Sequence, residues 1–430
     1  MDDIRLGTLL LEGGIVDEAG LERCLAIQSL TNHGRPIGQI LVDQGMISAD
    51  ALQRVLQLQR ERRQEAASSL RANDLAADAL LTLAANQGAT ELVVSEGRRA
   101  CIRTGMQWRP VTDTPLSGPE VWDFARTVMG DGVLEALAER HCVVQPWQVS
   151  GAGHGLATAF RQLEGVAVRI AFTPAAVADP AMAGVSPAIV DVIRGGKGLV
   201  LLVGERGLLR AETVASLLPV AAADQGQYVV VVDDEPLPLP ADRALVVRRR
   251  FGLTPAARAE ALRAAVDEDP DALVVADIGD PATFEIALRA AESGRLVIAW
   301  LDAANATQAL ARLLGFPTTH DAAGVRGTLA AALRAVLVRQ QLPDASGTGT
   351  VAASELLVVD GAVRDAIRAG QLGDIALLVR AEGRNGGHSL DRSMLDLVAS
   401  GRVRLEDVFS RAEERLWLLD RAREMQAKAN

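Results

Sequence analysis

One apolar pattern is written twice near the start of the chain. Each position of the second copy follows its partner by 31 residues, as Leu41 follows Leu10. The apolar residues of each copy fall at helical spacing, so most of them are predicted to form a helical core. Gly14 and Gly45 stand where a first helix should end, because glycine tolerates the left-handed backbone of a helix cap. Ser48 is then predicted to cap a second, longer helix, and two copies make a small four-helix unit.

A different pattern follows, in which short strands alternate with helices. Strands are predicted at Glu91–Val94, Ala100–Arg103, Trp108–Val111, Gly155–Arg161 and Val166–Phe172. Helices are predicted beside them, at 75–86 and 120–128. This arrangement indicates an antiparallel sheet flanked by helices, which is an α+β domain.

Beyond residue 186 the pattern changes to buried strands separated by helices. After a helix at 186–194, strands without a polar face are predicted at Leu199–Val203, Tyr228–Val232, Ala272–Ala276 and Leu296–Trp300. The helices between them are predicted at 213–222, 256–266 and 282–293. Such strands are typical of a parallel sheet covered on both faces. From Thr307 the pattern predicts mainly helix, with one strand-like stretch at Ala352–Val359.

Length, charge and composition limit the kinds of protein that this chain can be. At about 150 residues per domain, 430 residues suggest roughly three domains. The net charge of −11 argues against a general nucleic-acid binder. The apolar runs are too short to span a bilayer and the N-terminus does not resemble a signal peptide, so a cytoplasmic protein is expected, with membrane association at most peripheral. The three cysteines and five histidines are scattered along the chain, so no metal site and no disulfide framework is expected.

Some residues of the repeat are not needed by a helical core. A glycine such as Gly7 or Gly38 inside a helix costs roughly 1 kcal/mol relative to alanine, but it lets a ligand approach the backbone. Arg5 and Arg35 are suited to contacting phosphate or stacking on a base. This pattern, ending in a glutamine in each copy, resembles the MshEN module. That module is the N-terminal cyclic-di-GMP receptor domain of many pilus-assembly and type II secretion ATPases.

The resemblance implies a cyclic-di-GMP site shared between the two copies. The residues it assigns to the ligand are Arg5, Leu6, Gly7, Leu10, Leu11, Gly14, Leu21, Leu25, Gln28, Arg35, Ile37, Gly38, Leu41, Val42, Gly45, Leu52, Leu56 and Gln59. The second copy departs from the pattern, because Pro36 occupies the place of Arg5 and lacks a backbone donor. We expect this half-site to be weaker, and an inert docking module remains the alternative.

A phosphate-binding loop is expected where a buried strand ends at Gly204 and leads into a helix. The chemistry requires Gly-x-x-x-x-Gly-Lys-Ser/Thr, whereas the chain has Gly207, then Leu209 for the second glycine of the motif and Arg210 for the lysine. Ala211 stands in place of the hydroxyl that ligates magnesium. The sequence therefore predicts against the binding of ATP with magnesium at this degenerate loop.

The sequence on both sides of this loop, over about residues 75 to 420, resembles that of the type IV pilus and type II secretion ATPases. Residues 269–280 look like their Walker B region, 290–297 like their histidine-box strand, and 342–368 like the C-terminal pattern of retraction-type members. The resemblance implies an α/β protein in four parts. These are a duplicated helical module (1–60), a linker (61–72), an α+β, PAS-like domain (73–180) and a RecA-like parallel-sheet domain with a helical C-terminal part (185–430).

The match also implies losses at the family's functional positions. Arg295 and Asp302 stand where the family has histidines, and Gly279 stands where it has an arginine. The residues that could be vestiges of the acidic and Walker B positions are Asp234, Glu235 and Asp277. From these losses the expectation is that the chain is not an enzyme, with no catalytic residue, and is a pseudo-ATPase.

Three hypotheses remain open at this point. The first is a catalytically inactive, cyclic-di-GMP-responsive regulator that joins or docks on a pilus or secretion motor, as a homo- or hetero-hexamer, or on its inner-membrane platform protein. The second is an active but divergent hexameric ATPase, with a phosphate cradle rebuilt around Arg210 and arginines supplied by a neighbour. The third is an interaction scaffold that binds no nucleotide. Which machine the chain serves stays open.

Overall fold

The computed structural model describes most of the chain beyond the N-terminal repeat, and parts of that repeat. The described residues are 10, 15–16, 20, 24, 37–48, 51–56, 77–163, 165–173, 179–205, 208–223, 226–234, 244–250, 254–316, 322–347, 349–381 and 384–429.

The described part of the repeat is a small helical core. Helix α1 spans Ile37–Asp43, and Gly45 follows it with a left-handed φ of 68°. Ser48 accepts a hydrogen bond from the backbone N–H of Ala51 at 3.1 Å and so caps the helical stretch 51–56. The helix end at Gly45 and the cap at Ser48 are therefore both confirmed.

A six-stranded antiparallel sheet forms the next layer, in the order β3-β2-β1-β6-β5-β4. Its strands are β1 (Glu91–Ser95), β2 (Cys101–Thr104), β3 (Gln107–Pro110), β4 (Cys142–Val149), β5 (Gly153–Gln162) and β6 (Gly165–Phe172). The helices of this part are α2 (Ala77–Asn86), α3 (Gly118–Met129) and α4 (Val133–Glu139). Buried residues of these helices, such as Leu80, Phe124 and Leu137, share one core with Leu92 and Ile170 of the sheet.

Strand β4 and helix α4 were missed by the sequence pattern. β4 lies at the edge of the sheet and contains Pro146. Its burial is mostly intermediate and does not alternate cleanly. An edge strand with proline lacks the alternation on which a strand prediction depends.

The second sheet has seven strands in the order β13-β12-β7-β11-β10-β8-β9. They are β7 (Gly198–Gly204), β8 (Tyr228–Val232), β9 (Leu245–Arg249), β10 (Ala272–Val275), β11 (Leu296–Leu301), β12 (Leu333–Pro343) and β13 (Thr350–Val358). All neighbours are parallel except β12 and β13, which are antiparallel. Separate cores cover its two faces, so the predicted α/β class, with a largely parallel sheet covered on both sides, is confirmed.

Helices surround this sheet and continue beyond it. They are α5 (Pro187–Arg194), α6 (Leu208–Ala221), α7 (Pro255–Asp267), α8 (Pro281–Glu292), α9 (Ala306–Leu314), α10 (Ala322–Ala332), α11 (Gly361–Ala369), α12 (Leu372–Arg380), α13 (Leu390–Ala399), α14 (Leu405–Phe409) and α15 (Arg415–Ala429). Leu342, Met394, Val408 and Leu418 belong to a core that joins the last three of these helices to β12.

The prediction of mainly helix from Thr307 was wrong at residues 333–343, which form the long strand β12. Leu333, Val336, Leu337 and Val338 are almost fully buried there, because β12 lies between β7 and β13. A continuous apolar run that directly follows helix α10 gives no periodicity that separates strand from helix.

Candidate functional site

The candidate site lies at the carboxyl edge of the second sheet, where chain segments leave neighbouring parallel strands. Gly204 ends β7, Asp233 follows β8, Asp277 follows β10 and Asp302 follows β11. The register places the last residues of these strands side by side. Ligands of open α/β sheets bind outside this edge. The sequence-predicted loop, Asp277 and Asp234, which directly follows Asp233, therefore lie where a ligand site is expected.

Arg210 lies in the first turn of α6 and pairs with Asp233. Its Nη1 donates to Oδ2 at 2.8 Å and its Nη2 to Oδ1 at 3.2 Å. Arg210 is 3% exposed and Asp233 is 2% exposed. The two parallel bonds require the planar fork of arginine and its fixed geometry, which lysine does not have.

Leu209 and Ala211 flank this arginine and are both buried. Thr213, one turn further on, donates its hydroxyl to the carbonyl oxygen of Leu209 at 2.6 Å. The Thr213 hydroxyl, two positions after Ala211, is therefore already hydrogen-bonded within the helix.

Gly204 serves a close approach between strands. It is registered with Arg339 of β12 and has a φ of 148°. A side-chain carbon at this position would overlap the carbonyl oxygen of Arg339. The strand-to-helix turn therefore requires glycine here for structural reasons. Gly207 and Glu235 lie outside the described residues.

Asp277 is held in a second buried ion pair. Its Oδ2 lies 2.7 Å from Nη1 of Arg258, and its Oδ1 accepts the backbone N–H of Gly279 at 2.7 Å. Arg258 also lies 3.3 Å from Asp280, so α7 is tied to the loop after β10. Asp234 has a longer contact, 3.8 Å, to Arg250.

The residues present do not fit a bound magnesium ion. Ala211 has no hydroxyl, while Asp233 and Asp277 both have their carboxylates directed to arginines. Among the described residues, no group of three or more histidine, cysteine, aspartate or glutamate side chains is arranged to hold a metal ion.

Arg339 is a residue near this edge that the sequence pattern did not single out. Burial lowers the pKa of its guanidinium to about 10, and the charge of Glu212 partly offsets this. Its Nη1 donates to the carbonyl of Gly184 at 2.6 Å and its Nη2 to the carbonyl of Ala183. Burial in turn raises the pKa of Glu212, with Arg339 acting in the opposite direction. Arg339 thus ties the segment before α5 to β12, a link that no local sequence signal shows.

The two positions compared with the family's histidines lie at opposite ends of β11. Arg295 precedes the strand and contacts Asp269 and Ser293. Asp302 follows it and accepts a bond from Nε1 of Trp300 at 3.2 Å. A six-residue strand separates them by roughly 20 Å, so Arg295 does not belong to the site at the carboxyl edge.

Some of the residues that the resemblance assigns to cyclic-di-GMP lie in the part of the chain that the structure describes. Leu10 and Leu41 are fully buried in the core of the repeat, and Gly38 is buried within α1. Ile37, Val42 and Leu52 pack against that core while partly exposed, and Leu56 is also partly exposed. The members that lie outside the described residues are Arg5, Leu6, Gly7, Leu11, Gly14, Leu21, Leu25, Gln28, Arg35 and Gln59.

Comparison with known proteins places these features in context. The family model described as "Type II/IV secretion system protein" matches residues 155–350. The Type IV pilus retractation ATPase PilT of Pseudomonas aeruginosa is 28% identical over 336 residues, covering 78% of this chain and 97% of that protein. The Type IV pilus ATPase PilU of the same organism is 25% identical, covering 78% and 88%. The twitching motility protein of Neisseria gonorrhoeae is 25% identical, covering 73% and 84%.

Solved structures show the same similarity to pilus and secretion ATPases. The crystal structure of the pilus retraction motor PilT with bound ADP is 26% identical and aligns with a TM-score of 0.66, covering 79% of this chain and 97% of that one. The ATPase DotB of Legionella pneumophila, 17% identical with a TM-score of 0.64 over 77% of this chain and 93% of its own, shows the shared fold. No helix in the described ranges is long and apolar enough to cross a membrane.

These relatives overturn one expectation from the sequence. The chain was expected not to be an enzyme, but PilT and PilU, which it matches over most of their length, are named as ATPases. The substitutions in the loop do not outweigh that relationship, and the expectation of a pseudo-ATPase is wrong. Together, the matched domain and these relatives show that the chain is similar to the type II and type IV secretion and pilus ATPases.

Proposed function

We propose that this chain is a divergent ATPase of a type IV pilus or type II secretion motor, in which Arg210 binds the nucleotide phosphates and the N-terminal repeat responds to cyclic-di-GMP. The observation that carries the proposal is the position of Arg210. It retains a positive charge in the first turn of the helix that follows β7, where the N-terminal backbone of a helix also favours anions.

In the described state Arg210 is bound to Asp233, so phosphate must compete with a carboxylate. The bidentate geometry that suits Asp233 also suits a phosphate group. Nucleotide binding would therefore exchange one anion for another at the same guanidinium. Phosphoryl transfer depends on positioning and charge neutralisation, so the remaining positive charge is assigned to arginines of a neighbouring copy in a hexamer.

Phosphate release from ATP tests this part of the proposal. We expect Arg210→Ala to abolish both ATP binding and turnover, whereas Arg210→Lys should retain part of both because the charge remains. Arg295→Ala is the matched control, since it removes an arginine at the other end of β11. Background-level phosphate release and no ATP binding by the unmodified protein would overturn the proposal.

The regulatory part rests on the repeat. Its two copies share a buried contact set centred on Leu10 and Leu41, and the two-fold pattern suits a two-fold symmetric ligand. Bound ligand would change how the linker presents the middle domain to a motor hexamer or to the membrane platform protein. Any such response requires different affinities for two states.

Calorimetric titration with cyclic-di-GMP tests this part separately. We expect binding heat that Arg5→Ala removes, and a change in ATP turnover when ligand is present. A titration without heat would favour an inert docking module, while leaving the result of the ATP experiment unaffected.

A further inference from the structure

A cavity of about 270 Å³ lies among the C-terminal helices. It is bounded by the start of α9, by α12, by the start of α13 and by α15, and Glu355 of β13 contributes to its lining. Side chains alternate along β13. Leu356 packs in the core that contains Ala211 of α6, whereas Leu357 packs in the core on the opposite face. Glu355 shares the face of Leu357, so this cavity and helix α6 are on opposite faces of the sheet.

Negative charge dominates the polar lining. Glu355 is 3% exposed and accepts the backbone N–H of Ala306 at 2.8 Å. Asp391 accepts the backbone N–H groups of Glu413 at 3.0 Å and Glu414 at 2.7 Å. Two carboxylates are thus fixed by backbone donors.

The rim of the cavity is charged but exchangeable. Arg380 on α12 lies 2.8 Å from Glu414 and 3.7 Å from Glu413, which precede α15. All three side chains are 37% to 48% exposed. Exposed ion pairs of this kind contribute little stability, so another cation can replace Arg380 at low cost.

Two large apolar side chains outside the cavity, close in sequence to the rim residues, are exposed to water. Leu377 is 65% exposed and Leu416 is 79% exposed. Leu377 lies three residues before Arg380 on α12, and Leu416 lies three residues after Glu413, at the start of α15. Val379 and Trp417 form apolar walls inside the cavity. Carboxyl groups beside the apolar walls of Val379 and Trp417 match a cationic side chain with an aliphatic stem.

We propose that this cavity is a docking site for a basic, leucine-rich segment of a partner protein, which inserts one arginine or lysine between α12 and α15. The inserted cation meets Glu413 and Glu414 at the rim and the carboxylates below them. The neighbouring leucines of the segment cover Leu377 and Leu416. This site is independent of nucleotide binding at Arg210.

The titration of Glu355 supports this charge assignment. Burial raises the pKa of Glu355 to about 7, and the backbone donor Ala306 opposes the shift. The charged groups that line the cavity with it are Glu413 and Asp391, which disfavour its ionised form, together with Glu414 and Arg380 at the rim. An inserted cation favours the ionised form, so the segment should bind more weakly as the pH falls below about 7.

Fluorescence anisotropy with the full chain tests the proposal. The probe is a labelled peptide of sequence Leu-Leu-Arg-Leu-Leu, and the comparison peptide has glutamine in place of arginine. We expect the arginine peptide to bind, and Glu355→Gln or the double variant Leu377→Ser, Leu416→Ser to weaken it about tenfold, the effect of losing roughly 1.4 kcal/mol of binding free energy. Leu163→Ser, which alters an exposed leucine of the β5–β6 turn, is the matched control and should bind as the unmodified chain does.

Three outcomes would overturn the proposal. The first is equal binding of the arginine and glutamine peptides, and the second is equal binding by the control and the cavity variants. The third is loss of self-association in sedimentation when Leu377 and Leu416 are replaced, because a second copy of the chain would then be the occupant.

Discussion

Asp233→Asn separates nucleotide binding by Arg210 from a purely structural role of that arginine. The substitution keeps the shape of the side chain and one acceptor oxygen but removes its charge. Both members of the pair are at most 3% exposed, and breaking a buried pair by removing one partner costs about 3–5 kcal/mol of stability. Because asparagine still accepts one of the two bonds, made at 2.8 and 3.2 Å in the unmodified chain, we expect a loss near the lower end.

The same substitution should strengthen ATP binding. Under the proposed exchange, part of the free energy of ATP binding in the unmodified chain is spent in separating Arg210 from Asp233. Each 1.4 kcal/mol removed from that cost increases the affinity tenfold. Recovery of even half of the pair's lower estimate, about 1.5 kcal/mol, gives a gain of about tenfold.

The assay is equilibrium binding of labelled ATP, with urea unfolding of the same samples. Asp277→Asn is the matched control, because it also removes the charge of a buried carboxylate that is paired with an arginine at the same sheet edge. It should lose comparable stability without a gain in ATP affinity. If Asp233→Asn and Asp277→Asn bind ATP equally well, or if neither differs from the unmodified chain, the exchange of Asp233 for phosphate is refuted.

Three further predictions concern the fold. Gly204→Ala should lower the free energy of unfolding by roughly 2 kcal/mol or more, measured in urea, because the new carbon overlaps the Arg339 carbonyl; unchanged stability would contradict this. The raised pKa of Glu355, about 7, means that the folded chain holds this proton more tightly than the unfolded chain, so the stability from this group is present below about pH 4.3 and is lost as the pH rises to about 7. Glu355→Gln should therefore stabilise the chain by about 3 kcal/mol more at pH 8 than at pH 4, and a flat difference across that range would exclude this linkage. Gly45→Ala should destabilise the N-terminal repeat by about 1–2 kcal/mol, seen as faster amide hydrogen exchange in α1, because Gly45 has a φ of 68°; unaltered exchange would count against it.

Local pattern was sufficient for much of the fold. The central strands β7, β8, β10 and β11 have no polar face and are bounded by clear helices, so their predicted limits differ from the structure by at most two residues. Ser48 and Gly45 were predictable because caps depend on residue type and backbone conformation within a few positions. β12 and β4 were not predictable, since one follows a helix without a break and the other is an edge strand whose neighbour alone defines it.

The candidate site was predictable only in its position. The strand-to-helix turn at Gly204 and the acidic residues after β8 and β10 follow from the sequence, because the carboxyl ends of parallel strands share one edge. The pairing of Arg210 with Asp233 joins residues 23 positions apart, and that of Arg258 with Asp277 joins residues on α7 and after β10. These pairings depend on packing between elements, and no short motif encodes them.

The pairing changes how the substitution at Arg210 should be understood. Viewed in the loop alone, arginine for lysine preserves charge and is ambiguous. In the folded chain, the planar guanidinium matches both oxygens of Asp233, while a lysine ammonium would act as a single point charge there. Arg210 and Asp233 therefore form one unit, which under the proposed function closes the phosphate site until nucleotide binds. We expect Arg210→Lys to weaken the pair with Asp233 while retaining the positive charge. Arg210→Lys should therefore lose only part of the ATP affinity that Arg210→Ala loses. Its loss of unfolding free energy should be a larger fraction of the loss in Arg210→Ala.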